Sequence, residues 1–458
     1  MPFNRLLTFV INHRMRRFVR KLGRADHESV MRRIRKLNPM VLSLLEKYYL
    51  VTSLKHAAKN SHYYQRKLPE LIRGLTLNSA QAVIKTLLFT TPLELSESPK
   101  PFLAIPEEDI ANIHFTYGSM GKKKVIYNSK RDMTYIDYSY MMGFIHCGID
   151  HRDIAQIVYS FGIWGLAENI LRALQNLSIV TLSTGNYLNF QEQRQYLENF
   201  KVTCLFGTPS YVYNLAKEIE LSEESKKRMK AILVGGECLP EHRRKFIEER
   251  LGGEVFINYG MNEAGGGIGS ECSEHNGYHI MSTCFCEIID PETGEEVEDG
   301  EFGELVLTTT RREAMPLIRY RTGDITRKLT DKCPCGLILP RLDYLKGRVD
   351  DRLVIGAAEK YYPIDFDLFL DPFDEIKDYW IEVVTENDRD TIVSYIYTDS
   401  PTEKLRQSII EKFYSLDSIK IDIETTKTVN VPKVVFVKEL SVNNKRRRLI
   451  DKRTLVKK

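Results

Sequence analysis

The sequence predicts an α/β protein: a large N-terminal α/β domain with an antiparallel subdomain, then a small α+β domain at the C-terminal end. Three observations carry this expectation. Short β-branched runs alternate with helical stretches between residues 154 and 260. Strand pairs around acidic turns replace that alternation from Gly277 to Leu329, and a third texture follows GRVDDR at 347–352. At 458 residues the chain exceeds what a single core organises, so two or three domains are expected.

Residues 27–72 read as helices. LNPMVLSLLEKYYLVTSLKHAAKNS places apolar residues at three- and four-residue intervals, and Lys59-Asn60-Ser61 is a stop. IAQIVYSF (154–161), SIVTLS (178–183), VTCLF (202–206), AILVGG (231–236) and EVFINYG (254–260) read as strands. LAENILRALQN, FQEQRQYLENF, SYVYNLAKEIE and PEHRRKFIEERL between them read as helices, which implies a parallel sheet covered on both faces. Gly207, Gly235, Gly236, Asn258 and Gly260 fall at strand ends, where open α/β sheets bind ligands. The turns DPETGEE and EDGEFGE mark the antiparallel pairs, and WIEVV and IVSYIYT accompany the helix TEKLRQSIIEKFYSL.

A chain that is 43% hydrophobic and 28% charged has a soluble globular composition. Net charge is +4, but residues 1–36 hold eleven Lys/Arg against Asp26 and Glu28, a net +9, which leaves the remainder at −5. No apolar run reaches the ~18 residues of a membrane span. LLTFVI, interrupted by Asn12, His13 and Arg14, is too brief for a secretory signal. Eight cysteines over this length do not suit a disulfide scaffold, so a cytoplasmic location is expected. The basic extension NRLLTFVINHRMRRFVRKLGR leaves two readings open, peripheral membrane contact or packing on a core or partner; no motif supports nucleic-acid binding.

HFTYGSMGKKKVIY (114–127) places a Gly-rich basic turn between two strand-like runs. Thr116, Gly118, Ser119, Gly121 and Lys122 have the donors and charge that phosphate needs, since glycines let backbone N–H groups converge. On turn statistics alone, a hairpin with solvated lysines is the commoner outcome. The rest of the chain alters those odds: VGGECLP, NYGMNEAGG, PLIRYRTGD, GRVDD and NNKRRRLIDKR follow in that order.

The ordered series resembles the adenylate-forming enzyme superfamily, in its phenylacetate–CoA ligase-like branch, which also holds capsular-polysaccharide-associated proteins. The likeness runs from about Leu50 to Arg453. The family's phosphate loop reads roughly S/T-S-G-T/S-T-G-K-P; Tyr117, Met120 and Lys123 depart from it here. The resemblance implies that this loop covers the β- and γ-phosphates of ATP. It implies adenine contact at Gly235-Gly236-Glu237 and at Asn258-Tyr259-Gly260, with Tyr259 stacking on the base. Asn262 stands where relatives carry the hydroxyl that meets the α-phosphate, and Glu263 where they carry the Mg²⁺ ligand. Asp324 would accept from both ribose hydroxyls, Arg348 would contact the nucleotide side and Asp350 would be the hinge of a mobile C-terminal domain. Lys445 matches the catalytic lysine, whose ammonium would bridge carboxylate and α-phosphate, although Asn444 replaces the usual glycine.

Cys272, His279, Cys333 and Cys335 form a donor set suited to tetrahedral Zn²⁺, with Cys284, Cys286 and His275 as rivals and buried unreactive thiols as the other reading. The branch often has Cys and His at these points, which implies a structural zinc.

The expected organisation is a basic helical extension (1–49), an adenylate-forming core (50–349) and a C-terminal domain (350–458). The expected enzyme is an AMP-forming ligase that activates a small carboxylic acid with ATP–Mg²⁺ and passes the acyl group to CoA. Tyr159, Phe161 and Trp164 in YSFGIWG are the expected acyl-pocket walls. Transfer to an amine, hydroxyl or carrier protein, and a non-catalytic nucleotide-binding homologue, are the alternatives.

Overall fold

The computed structural model describes residues 22, 26–68, 72, 74–117, 123–280, 284–356, 359–370, 372–438 and 449–453. The chain forms two compact units. The first comprises the described residues up to Leu239 with Arg243–Thr322 and Thr326–Tyr344; the second comprises Pro240–His242, Gly323–Ile325 and the described residues from Leu345 onward.

In the first unit, helices His27–Ile34, Pro39–Asn60 and His62–Lys67 come first. The Asn60 stop is real: Ser61 N–H bonds back to the Ala57 carbonyl, and the Ser61 side chain then caps the next helix. A hairpin of β1 (Ile110–Tyr117) and β2 (Lys123–Ser129) leads into the helix Lys130–His146. That helix starts at a reciprocal Ser129–Asp132 capping box.

Strands β3 (Ile154–Ile157), β4 (Val180–Leu182), β5 (Cys204–Gly207), β6 (Ala231–Gly235) and β7 (Glu254–Met261) run parallel in the order β4-β3-β5-β6-β7. Every residue of β5 and β6 is buried, as expected for strands covered on both faces. Helices Leu166–Asn176, Phe190–Asn199, Pro209–Glu218 and Glu241–Leu251 are the expected intervening segments, the second and third opened by the Asn189 and Thr208 caps. The sheet continues beyond β7 with antiparallel β8 (Gly266–Ser270) and β9 (Tyr278–Ile280). A second sheet pairs β10 (Cys284–Ile289) with β11 (Gly303–Thr309) in antiparallel register, and Asp290 Oδ1 accepts from Glu292 and Thr293 N–H to set the DPETGEE turn.

The second unit is built on the hairpin Asp378–Glu386 and Arg389–Tyr397. Lys433–Val437 lies parallel on one edge and Leu449–Asp451 parallel on the other. Phe366, Ile381, Ile392, Ile396, Ile409 and Phe413 form its core. The expected helix spans Glu403–Tyr414, with the Thr402 side chain accepting from Leu405 N–H.

No described helix is long and apolar enough to cross a membrane. The basic extension through Lys21, with its expected membrane contact, lies outside the described residues.

Candidate active site

The β1–β2 hairpin sets Thr116 opposite Lys124 and Tyr117 opposite Lys123. Gly118, Ser119, Gly121 and Lys122, expected to cradle phosphate, lie outside the described residues, as does Met120. What the hairpin does fix is Thr116, whose hydroxyl donates to Glu263 Oε1 at 3.1 Å.

Glu263 sits in the single 3₁₀ turn Asn262–Ala264 that follows β7. Its carboxylate is buried and meets a second partner that sequence reasoning missed: Lys124 Nζ lies 2.5 Å from the same Oε1 and 3.1 Å from the Tyr320 hydroxyl. Lys124 closes a run of three lysines, a pattern that reads as solvated, and only the pairing across the hairpin turns it inward. Two separate motif blocks thus meet at one carboxylate, with Thr116 at the mouth of the glycine loop.

Asn262 is held from another side, its side-chain amide donating to the Trp164 carbonyl. One of its two N–H groups is committed there. The same bond ties YSFGIWG to the end of β7, and the Tyr159 hydroxyl donates to the Gly235 carbonyl at 3.3 Å. Tyr159 is buried, and that burial pushes its phenol well above the ordinary range, so it acts as a neutral donor.

Gly235 pairs with Asn258 across β6 and β7, and a Cβ there would stand 2.7 Å from the Asn258 carbonyl oxygen. Gly236 turns the chain out at φ +89° into open space. Glu237 is exposed, and its carboxylate accepts from Ser210 N–H and Oγ, both at 3.0 Å. Tyr259 is buried, its ring 5.9 Å from that of Tyr278, and the register slips by a bulge before Gly260.

In the second unit, Asp324 and Arg348 face each other across a short antiparallel pair, and Arg348 Nη1 donates to Asp324 Oδ1 at 2.9 Å. Asp350 is exposed in the 3₁₀ turn Val349–Asp351. Lys445 lies outside the described residues.

All eight cysteines are free thiols. Cys272, His279 and Cys335 come together with His146, at the end of the helix Lys130–His146; the candidate ligand atoms all lie within 4.8 Å of one another, and His146, Cys272 and His279 are buried. Cys333, also expected from the sequence, adjoins this group, its Sγ 3.6 Å from Cys272 Sγ. Of the rivals, His275 is paired with Glu254 at 3.0 Å, and Cys284 and Cys286 lie on β10. Neither ring nitrogen of His146 lies within hydrogen-bond geometry of a partner, and the Cys335 thiol is held far below its usual range, chiefly by the Cys272 thiol beside it. Two thiols, two imidazoles and orphaned buried nitrogens fit a tetrahedral cation.

Comparison with known proteins agrees with the ordered motifs. Residues 40–311 match the family model described as AMP-binding enzyme. The chain belongs to that family, in its phenylacetate–CoA ligase-like branch. The phenylacetate-coenzyme A ligase of Escherichia coli (strain K12) is 30% identical over 335 residues, 70% of this chain and 74% of that protein. The enzyme of the same name from Aromatoleum evansii is 30% identical over 342 residues, 72% and 75% of the two chains. The match to the Thermus thermophilus enzyme, at 31% identity, spans 62% of that relative.

Among solved structures, 2-hydroxyisobutyryl-CoA ligase in the postadenylation state superposes with a TM-score of 0.72 at 22% identity, covering 89% of this chain and 88% of that one. MatB from Rhodopseudomonas palustris gives 0.58 at 16% identity, covering 75% and 67%. At these identities the likeness establishes the adenylate-forming fold.

Proposed function

We propose that this AMP-forming ligase activates a carboxylic acid with ATP to an acyl-adenylate and transfers the acyl group to coenzyme A. The observation that carries the reading is the convergence on Glu263. Thr116, at the mouth of the glycine loop, and Glu263, in the turn after β7, belong to the two blocks that relatives use for phosphate and Mg²⁺, and here they are bonded to one another. Both described contacts fall on Oε1, which leaves Oε2 as the ligand atom. One carboxylate suits Mg²⁺, which takes its remaining ligands from phosphate and water. When bound, the ion would offset phosphate charge.

Asn262 presents its remaining N–H toward the α-phosphate, and Gly235 and Gly236 let a flat base approach backbone. Asp324, oriented by Arg348, accepts from the ribose. Lys445 supplies the positive charge that stabilises the transition state. Tyr159, Phe161 and Trp164 wall the acyl site and favour an aryl or hydrophobic acid; the bonds from Asn262 to Trp164 and from Tyr159 to Gly235 support this. The relatives named phenylacetate–coenzyme A ligase support CoA as the acceptor over a carrier protein. His146, Cys272, His279 and Cys335 hold a closed structural Zn²⁺, and the protein works in the cytoplasm.

The test is mass detection of an acyl-CoA when ATP, Mg²⁺, CoA and a panel of aryl and aliphatic acids are supplied. A thioester with at least one acid supports the reading. Formation of AMP without thioester would move the acceptor away from CoA.

A further inference from the structure

The first two described helices leave one corner uncovered. Val30, Met31 and Ile34 bury one face of the helix His27–Ile34 in the core, and Arg35 Nε donates to the Cys335 carbonyl at 2.9 Å, so this helix is firmly seated. Immediately beyond it the burial pattern reverses. Leu37, Met40, Val41 and Leu44 are 42%, 76%, 49% and 53% exposed. Asn38 caps the second helix and Pro39 opens it, so Met40, Val41 and Leu44 share one helical face, with Leu37 just before them.

The charge flanking this apolar stripe is predominantly positive, with Asp26 and Glu28 at the start of the first helix and Glu46 just past Leu44 as the acids nearest in sequence. Between Ser29 and Leu45 the sequence has Arg32, Arg33, Arg35 and Lys36 and no Asp or Glu. Arg32, Arg33 and Lys36 are exposed on the helix end and turn that precede the stripe. The sequence before the first described helix adds Arg5, Arg14, Arg16, Arg17, Arg20 and Lys21, again with no acid up to Lys21.

We propose that this corner docks the enzyme on bilayers that carry anionic lipid. Aliphatic tips flanked by cations suit the boundary between headgroups and acyl chains. The exposed cations Arg32, Arg33 and Lys36 complement a negative leaflet. The inference stands independently of the adenylation reading, since none of these residues was placed in the active site.

The experiment is co-sedimentation of the full chain with vesicles of phosphatidylcholine alone and of phosphatidylcholine with phosphatidylserine, at low and high salt. The expected result is binding only to the phosphatidylserine vesicles, weakened by salt. Met40→Asp with Leu44→Asp, and separately Arg32→Gln, Arg33→Gln and Lys36→Gln together, each weaken it more than about tenfold. An unchanged unfolding midpoint in both variants shows that the fold survives these surface changes. Absence of binding, equal binding to neutral vesicles, or binding untouched by either set of substitutions overturns the proposal. So does size-exclusion showing a wild-type dimer that the Met40→Asp, Leu44→Asp variant splits, which would make a second copy the occupant.

Discussion

Replacing Lys124 by methionine keeps the stem and removes only the ammonium. In the wild type that ammonium lies 2.5 Å from Glu263 Oε1, and the side chains of the pair are 7% and 5% exposed. Thr116 still donates to the carboxylate in the variant, but one neutral hydroxyl does not compensate a buried negative charge. Breaking a buried pair from one side costs about 3–5 kcal/mol. At about 2–4 °C per kcal/mol for a large domain, the melting transition falls by roughly 6–20 °C.

Adding Glu263→Gln removes the stranded charge and recovers roughly 2 kcal/mol. Urea unfolding of the wild type, both single variants and the double variant near neutral pH measures both effects. A Lys124→Met deficit below about 1 kcal/mol would refute the reasoning.

Three further outcomes are expected. His146→Ala lowers bound zinc by metal analysis of the purified protein while Cys333→Ser leaves it near the wild-type level; the reverse pattern would restore Cys333 as the ligand. Glu94 is held at about 2: burial raises its carboxyl, but Lys67 Nζ at 2.7 Å, Tyr63 and the Thr91 cap together outweigh it. Its depressed pKa contributes stability that is present above about 4.5 and lost as pH falls towards 2, so Glu94→Gln lowers the unfolding midpoint at neutral pH and little in strong acid. Lys445→Ala is expected to abolish acid-dependent pyrophosphate release while ATP affinity, read by calorimetry, changes by less than about threefold, the pattern of a lysine that acts on the transition state.

Much of the fold was legible because local signals and burial agree. The Asn60 stop, the Thr402 cap and the buried strands Cys204–Gly207 and Ala231–Gly235 stand where periodicity and capping rules put them. The helix Lys130–His146 was not read, although Ser129-Lys130-Arg131-Asp132 carries its capping box. Nor was Gly266–Ser270, whose glycines have no strand propensity and are ordered by pairing with β7 and β9. In the candidate site, the motif blocks could be named from sequence, but not what locks them. Lys124 looked solvated, the Asn262–Trp164 bond joins residues 98 apart, and His146 lies more than a hundred residues before Cys272 with no motif around it. Such partners are chosen by tertiary approach, which leaves no local trace.

The central claim is tested most directly by ATP–pyrophosphate exchange with a panel of aryl and hydrophobic acids, on the wild type and on Glu263→Gln. The account predicts exchange that requires an acid and Mg²⁺ and falls by at least about a hundredfold in the variant. No exchange with any acid, together with no thermal shift on adding ATP, would contradict it.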